Sequence, residues 1–239
     1  MRYAARLAAL PADGSVVGAH AAYRVVLLTG QSAYRHSQLS PDQLAMLAPA
    51  RELGFAVVAA GFPYHRELLV RPYGREPILR ASARNASQFV AASWSPRFRR
   101  QLGRHLRPLL ERTERGLLVI TGSSGLHLWA AARPALHPLP GLAVRLLALG
   151  PVAVPGTLDR VTATGVAVDI VRGESDWLSR LGHGGRVGHA GHLGPAGHVG
   201  PATTIVAGGH LDYAAAPAVR DAVRAAARAL LEQTRESAR

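Results

Sequence analysis

Short apolar, β-branched runs alternate along this chain with longer amphipathic stretches, and that alternation constrains the fold more than any other feature. The runs are Val25 to Leu28, Val57 to Ala60, Leu117 to Ile120, Val144 to Ala148, Val166 to Val171 and Thr203 to Val206. Between them the pattern turns helical. Pro41 to Leu53 carries Leu44, Leu47 and Ala48 at helical spacing, with Ser40 as an N-cap before Pro41 and Gly54 placed to end it. Arg97 to Glu114 predicts a helix interrupted near Pro108, Ser124 to Ala132 another, and Pro217 to Glu232 an Ala-rich helix at the end. From Phe62 to Ser95 the pattern is too weak to assign. Strands alternating with helices imply an α/β fold with a mainly parallel sheet of about six strands and helices on both faces, because right-handed crossovers place the helices there. A length of 239 residues suits one domain over residues 1–239.

Composition removes several classes of function. The absence of cysteine excludes disulfides, thiolate metal sites and cysteine nucleophiles. No stretch approaches about 18 uninterrupted apolar residues, so no membrane span is expected. The first residues, MRYAARLAALPADGS, hold an apolar run too short for a convincing secretory signal, and the expectation is a cytoplasmic protein. A formal charge of +13 would ordinarily point to a polyanionic partner. Here, however, all 28 basic residues are Arg and most are scattered, as biased base composition would produce. The one cluster, Arg97, Arg99, Arg100, Arg104, Arg107, Arg112 and Arg115, reads as a solvated helix face, with a nucleic-acid or acidic-ligand patch as the alternative. No nucleic-acid partner is expected, and the sequence assigns no oligomeric state.

The segment from Leu117 to Leu128, LLVITGSSGLHL, runs from an apolar strand through small residues into a helix. That layout can hold a serine in a sharp strand-to-helix turn with its hydroxyl exposed. Against the pattern G-x-S-x-G the match is Thr121-Gly122-Ser123-Ser124-Gly125, with Thr in place of the first Gly. Ser123 would be the nucleophile and the Ser124 N–H, at the helix start, an oxyanion donor. Two plainer readings stand beside it: a turn that only joins strand to helix, and an anion-binding loop at a helix N-terminus. The latter lacks the lysine of a P-loop and the glycines of a dinucleotide site. A serine at neutral pH needs a base held by an acid. Asp176 follows the run Val166 to Val171, and His210 follows Thr203 to Val206. Competing acids are Asp169, within its strand, Glu174, and Asp212, which follows His210 closely enough to cap the loop instead. His127, on the helix behind the serine, reads as a packed or surface residue.

TGSSG, VRGESDW and AGGHLDY resemble the elbow, acid loop and histidine loop of the α/β-hydrolase family, over roughly residues 25–231. The resemblance implies the chain order Ser123, Asp176, His210 for a catalytic triad, an acyl ester or thioester as substrate, and no cofactor or metal. It also implies a second oxyanion donor from the loop Thr29-Gly30-Gln31-Ser32, for which the Gln31 N–H is the candidate. Intervals of 53 residues from Ser123 to Asp176 and 34 from Asp176 to His210 suit members without a lid, such as those of the dienelactone-hydrolase type. Only 17 residues separate Ala148 from Val166, too few for an inserted cap domain. A catalytically silent member of the fold, acting as a binding or scaffold protein, is the alternative function. Phe62, Tyr64, His65 and Trp177 are candidates for the pocket mouth or for ordinary packing.

Residues 182–201, GHGGRVGHAGHLGPAGHVGP, place His183, His189, His192 and His198 among glycines. Imidazoles can bind borderline metals. Ordering so glycine-rich a segment around one would cost much conformational entropy, so the expectation is a flexible loop or flap rather than a metal site.

Overall fold

The computed structural model describes residues 2–12, 14–69, 76–136, 139–181 and 203–237. The Gly/His-rich stretch 182–201 lies outside the described residues. The strands are β1 (Ala21–Leu28), β2 (Ala56–Val57), β3 (Thr113–Gly122), β4 (Ala143–Leu149), β5 (Ala167–Gly173) and β6 (Thr203–Val206). The helices are α1 (Arg2–Ala9), α2 (Pro41–Glu52), α3 (Ile78–Trp94), α4 (Pro96–Glu111), α5 (Gly125–Ala132), α6 (Thr157–Thr162), α7 (Trp177–Leu181) and α8 (Pro217–Glu236). All six strands form one sheet in the order β2-β1-β3-β4-β5-β6, every pairing parallel.

The central strands are apolar on both faces because both faces are covered. Along β3, Leu117 and Val119 face a core packed by α1, α4 and α5, while Leu118 and Ile120 face the opposite core under α2 and α8. β1 and β4 alternate the same way, with Val26 and Leu146 on the first side and Val25 and Leu147 on the second. The period-2 geometry of a strand thus divides one apolar run between two cores. A buried arginine closes the amino end of the sheet: Arg24 donates from Nε to Thr113 Oγ1 at 3.1 Å and from Nη2 to the carbonyls of Ala19 and Arg112 at 2.6 and 2.9 Å. Burial therefore leaves its donors paired.

The structure departs from the sequence-based reading most in three places, at α4, β2 and α3. α2 starts as expected, with Ser40 Oγ accepting from the Gln43 N–H and Gln43 Oε1 accepting from the Ser40 N–H, a complete capping box. The helix expected over Arg97 to Glu114 starts at Pro96 and is not interrupted at Pro108. Pro108 lies in its last turn, where its carbonyl accepts from Arg112 N, and β3 begins at Thr113 because that residue pairs with Ala21. The run expected from Val57 to Ala60 pairs as a strand only to Val57. Ala60 turns away to bridge Gln38 antiparallel. The unassigned region holds α3, a 17-residue helix.

Between β4 and β5 the chain makes only the six-residue helix α6. That crossover carries no inserted cap, and the carboxyl ends of β3, β5 and β6 are left on one rim, where the candidate residues fall.

Candidate active site

Ser123 follows the last residue of β3 and stands just before α5. Its φ of 51° lies in the left-handed region, which a residue with a Cβ adopts only when its surroundings hold it there. They do so by hydrogen bonds: Ser123 N donates to Leu149 O at 3.1 Å and Val152 N donates to Ser123 O at 2.9 Å. The turn also depends on Gly125, where a Cβ would stand 2.0 Å from the Leu28 carbonyl oxygen. The start of α5 therefore packs directly on the end of β1. Thr121, in the place of the pattern's first glycine, is still inside β3, paired with Leu28 and Ala148 and buried. A strand position in the core accepts its side chain, so the departure from G-x-S-x-G does not disturb the turn.

The three sequence-expected residues meet. Ser123 Oγ lies 3.0 Å from His210 Nε2, and His210 Nδ1 lies 3.0 Å from both carboxylate oxygens of Asp176. A carboxylate only accepts, so Nδ1 carries the proton and Nε2 is the acceptor for the serine hydroxyl. Asp176 is buried and accepts two further hydrogen bonds, from the Ser179 N–H at 3.1 Å and from the Tyr213 hydroxyl at 2.6 Å. Burial alone would raise its pKa. The hydrogen bonds from Tyr213, His210 and Ser179 outweigh that and hold the carboxyl below its ordinary value. Tyr213 is fixed in turn, its oxygen accepting from the Gly173 N–H at 2.7 Å, and burial together with the Asp176 carboxylate pushes its own pKa upward. Gly150, at φ 48°, makes the space: a Cβ there would lie 2.5 Å from both Asp176 Oδ2 and the Tyr213 ring.

The other acids go elsewhere. Asp169 forms a two-bond ion pair with Arg145 on the neighbouring strand, at 2.7 and 3.0 Å. Asp212 Oδ2 accepts from the Gly209 N–H at 2.7 Å and so caps the loop that carries His210. Glu174 is exposed at the end of β5, its N–H donating to Val206 O. His127 is buried against Phe89, bonded to Ser93 Oγ at 3.0 Å, and burial lowers its pKa.

The Ser124 N–H sits at the start of α5 beside Ser123, free of any hydrogen bond among the described residues. The Gln31 N–H is a correction to the sequence reading. It donates to Gln88 Oε1 at 2.9 Å, and Gln88 Nε2 donates back to Gln31 O at 2.9 Å, so the amide expected to face an oxyanion is occupied. Gln88 comes from α3, which the sequence did not disclose, and it is fully buried.

Ser123 opens into a cavity of about 640 Å³ whose apolar wall includes Leu27, Met46, Phe89, Val152 and Leu178. Its only ionisable lining residues among those described are His210 and Tyr213. α3 supplies one side, through Ile78, Ser82, Asn85, Ala86, Phe89 and Val90 at helical spacing. Of the residues expected at the mouth, Tyr64 and His65 are buried away from this cavity, Phe62 is a core residue that reaches only the neighbouring polar cleft, and Trp177 points to solvent. Among the described residues no group of three or more His, Asp or Glu is placed to hold a metal, and no helix is long and apolar enough to cross a membrane.

No protein-family profile matches the sequence, and no curated protein matches it. Solved structures do. A protein described as a "predicted CIB-like hydrolase" from Thermoplasma acidophilum superposes with a TM-score of 0.50 at 16% identity, covering 88% of this chain and 87% of that one. An α/β serine hydrolase homologue from Coxiella burnetii aligns over 87% of this chain and 86% of its own, at 11% identity and a TM-score of 0.42. At such identity the Thermoplasma likeness speaks for architecture. Joined to the parallel sheet, the short β4–β5 crossover and the strained strand-to-helix turn, it leads to one structural conclusion: the chain has the α/β-hydrolase fold.

Proposed function

We propose that this protein is a serine hydrolase that cleaves a carboxylic ester or thioester through an acyl-enzyme. The observation that carries the reading is the continuous hydrogen-bonded chain from the Ser123 hydroxyl through His210 to the buried Asp176. As Ser123 Oγ bonds to the acyl carbon, its proton passes to His210 Nε2, and Asp176 stabilises the imidazolium that forms. The oxyanion develops beside the Ser124 N–H at the start of α5. The imidazolium then protonates the departing alkoxide or thiolate as its bond to the acyl carbon breaks. Water repeats the sequence, giving a proton to His210 as it attacks, and the carboxylic acid leaves with Ser123 restored. The cavity wall, largely apolar and without a charged residue other than the triad's own among the described residues, supports an acyl group without a charge of its own, since an ion moved there would lose hydration without a partner.

The test is a panel of p-nitrophenyl esters of increasing chain length, with labelling by a fluorophosphonate in parallel. Hydrolysis and labelling are expected in the native protein, and Ser123→Ala should lower kcat by roughly a thousandfold or more and abolish labelling. Hydrolysis that survives this substitution would remove the proposal and leave a binding protein on a hydrolase fold.

A further inference from the structure

We infer that the outer face of α3, with the start of α4, is a docking surface for an anionic lipid bilayer, and that it sets the mouth of the Ser123 cavity against that bilayer. The face is apolar where solvent reaches it. Leu79 is 87% exposed, Val90 56% and Trp94 81%, with Ala83 and Ala86 between them at helical spacing. Exposed apolar groups gathered on one helix, with a tryptophan among them, suit the headgroup boundary, where the indole has an apolar body and a polar edge.

Charge decides what covers it. Residues 77–110 contain seven arginines and no aspartate or glutamate. Beside Trp94 lies a groove lined by Tyr3, Arg6, Tyr34, Arg97 and Arg100, with no acidic residue in its wall among the described residues. Its floor is aromatic: Tyr3 stacks on Tyr34 at 4.8 Å, and Arg84 lies over the Tyr34 ring at 4.6 Å. Glu76, just before α3, is engaged by Arg84 at 3.0 Å and offsets only part of the positive field. An apolar ridge edged by arginine fits an anionic bilayer, whose lipids offer both an acyl layer and phosphate.

The position of the ridge gives it a use. Ala86 and Val90 line both the outer groove and the cavity that holds Ser123. Ile78 and Leu211, exposed at 64% and 72%, complete an apolar rim around that cavity. An acyl chain could pass from the bilayer into the cavity without crossing water. This delivery rests on the hydrolase reading, whereas the docking does not.

The experiment therefore uses Ser123→Ala in the full chain, with sedimentation of sucrose-loaded vesicles of phosphatidylcholine alone or mixed with phosphatidylglycerol. Binding is expected to the mixed vesicles and not to phosphatidylcholine. Arg97→Gln with Arg100→Gln should weaken it about twenty-five-fold, taking roughly fivefold for each charge near the surface. Trp94→Ala should weaken it comparably. A control pair on α8, Arg220→Gln with Arg228→Gln, lies across the sheet and should bind as the parent does. Equal losses from both arginine pairs would reduce the effect to overall charge and overturn the proposal. So would absence of binding, or a dimer in sedimentation equilibrium that Trp94→Ala dissolves while vesicle binding is unchanged. In the Ser123 background, hydrolysis of soluble esters by the Trp94→Ala protein should match the parent, which separates docking from chemistry.

Discussion

At the scale of single residues, the site depends on how a buried carboxylate is kept charged. Asp176 would be costly to bury as an anion if it met only the imidazole. Three donors converge on it, and the Tyr213 hydroxyl at 2.6 Å is the closest. Tyr213 stands three residues after His210 in AGGHLDY, a motif whose histidine was legible and whose tyrosine was not, because no local pattern says which carboxylate a phenol will reach. Tyr213→Phe is expected to lower stability near pH 7 by about 1.5–3 kcal/mol, the range for a hydrogen bond to a charged group. Since the folded pKa of Asp176 is depressed, its contribution is present above the unfolded value of about 4 and is lost as pH falls through the folded value. The gap between native and variant should thus be widest near neutrality and narrow in acid. Urea denaturation at about pH 7 and about pH 3 measures it, and a loss of the same size at both would deny that the bond acts through the carboxylate charge.

Among elements, α3 is the longest of the helices that sequence reasoning did not find, the others being α1, α6 and α7. Its buried residues are Gln88 and Ala92, while its large apolar residues Ile78, Leu79, Val90 and Trp94 are exposed, so no apolar stripe marks a core-facing side. The helix spends one face on a cavity, leaves another to solvent, and is anchored by a polar clamp. Gln88 bonds the Gln31 N–H and carbonyl and also donates to Arg84 O at 3.2 Å. Gln88→Leu keeps the volume and removes the clamp, leaving two buried backbone groups of the β1–α2 loop unpaired. A loss of about 2–4 kcal/mol is expected in urea denaturation, at about 1–3 kcal/mol for each unpaired group less what relaxation recovers. A change within about 0.5 kcal/mol would show that water replaces the glutamine at no cost. α2 shows the opposite case. Its Ser40 N-cap was readable because a cap acts within one turn, and the structure adds Gln43, three residues on, as the other half of a capping box.

At the scale of the molecule, a charge of +13 carried only by arginine cannot be relieved by deprotonation in any ordinary buffer. Outside α3, Arg145 pairs with Asp169 and Arg224 with Glu52, but 28 arginines face only 15 acidic residues in the chain. Self-repulsion should therefore exceed surface attraction. Raising sodium chloride from about 10 mM to about 200 mM shortens the Debye length from about 30 Å to under 10 Å and should raise Tm by a few degrees in calorimetry. A fall in Tm would mean that attractive pairs dominate. The six strands, the helices α2, α4, α5 and α8 and the turn at Ser123 were legible in the sequence alone, because periodicity, caps and breakers act between residues close along the chain. Which serine, histidine and acid meet was decided only by the tertiary structure, as were the partner of the Gln31 N–H and the helix that walls the cavity. Ser123 and His210 are 87 residues apart, and their 3.0 Å contact exists because strand order and register bring the ends of β3, β5 and β6 to one rim.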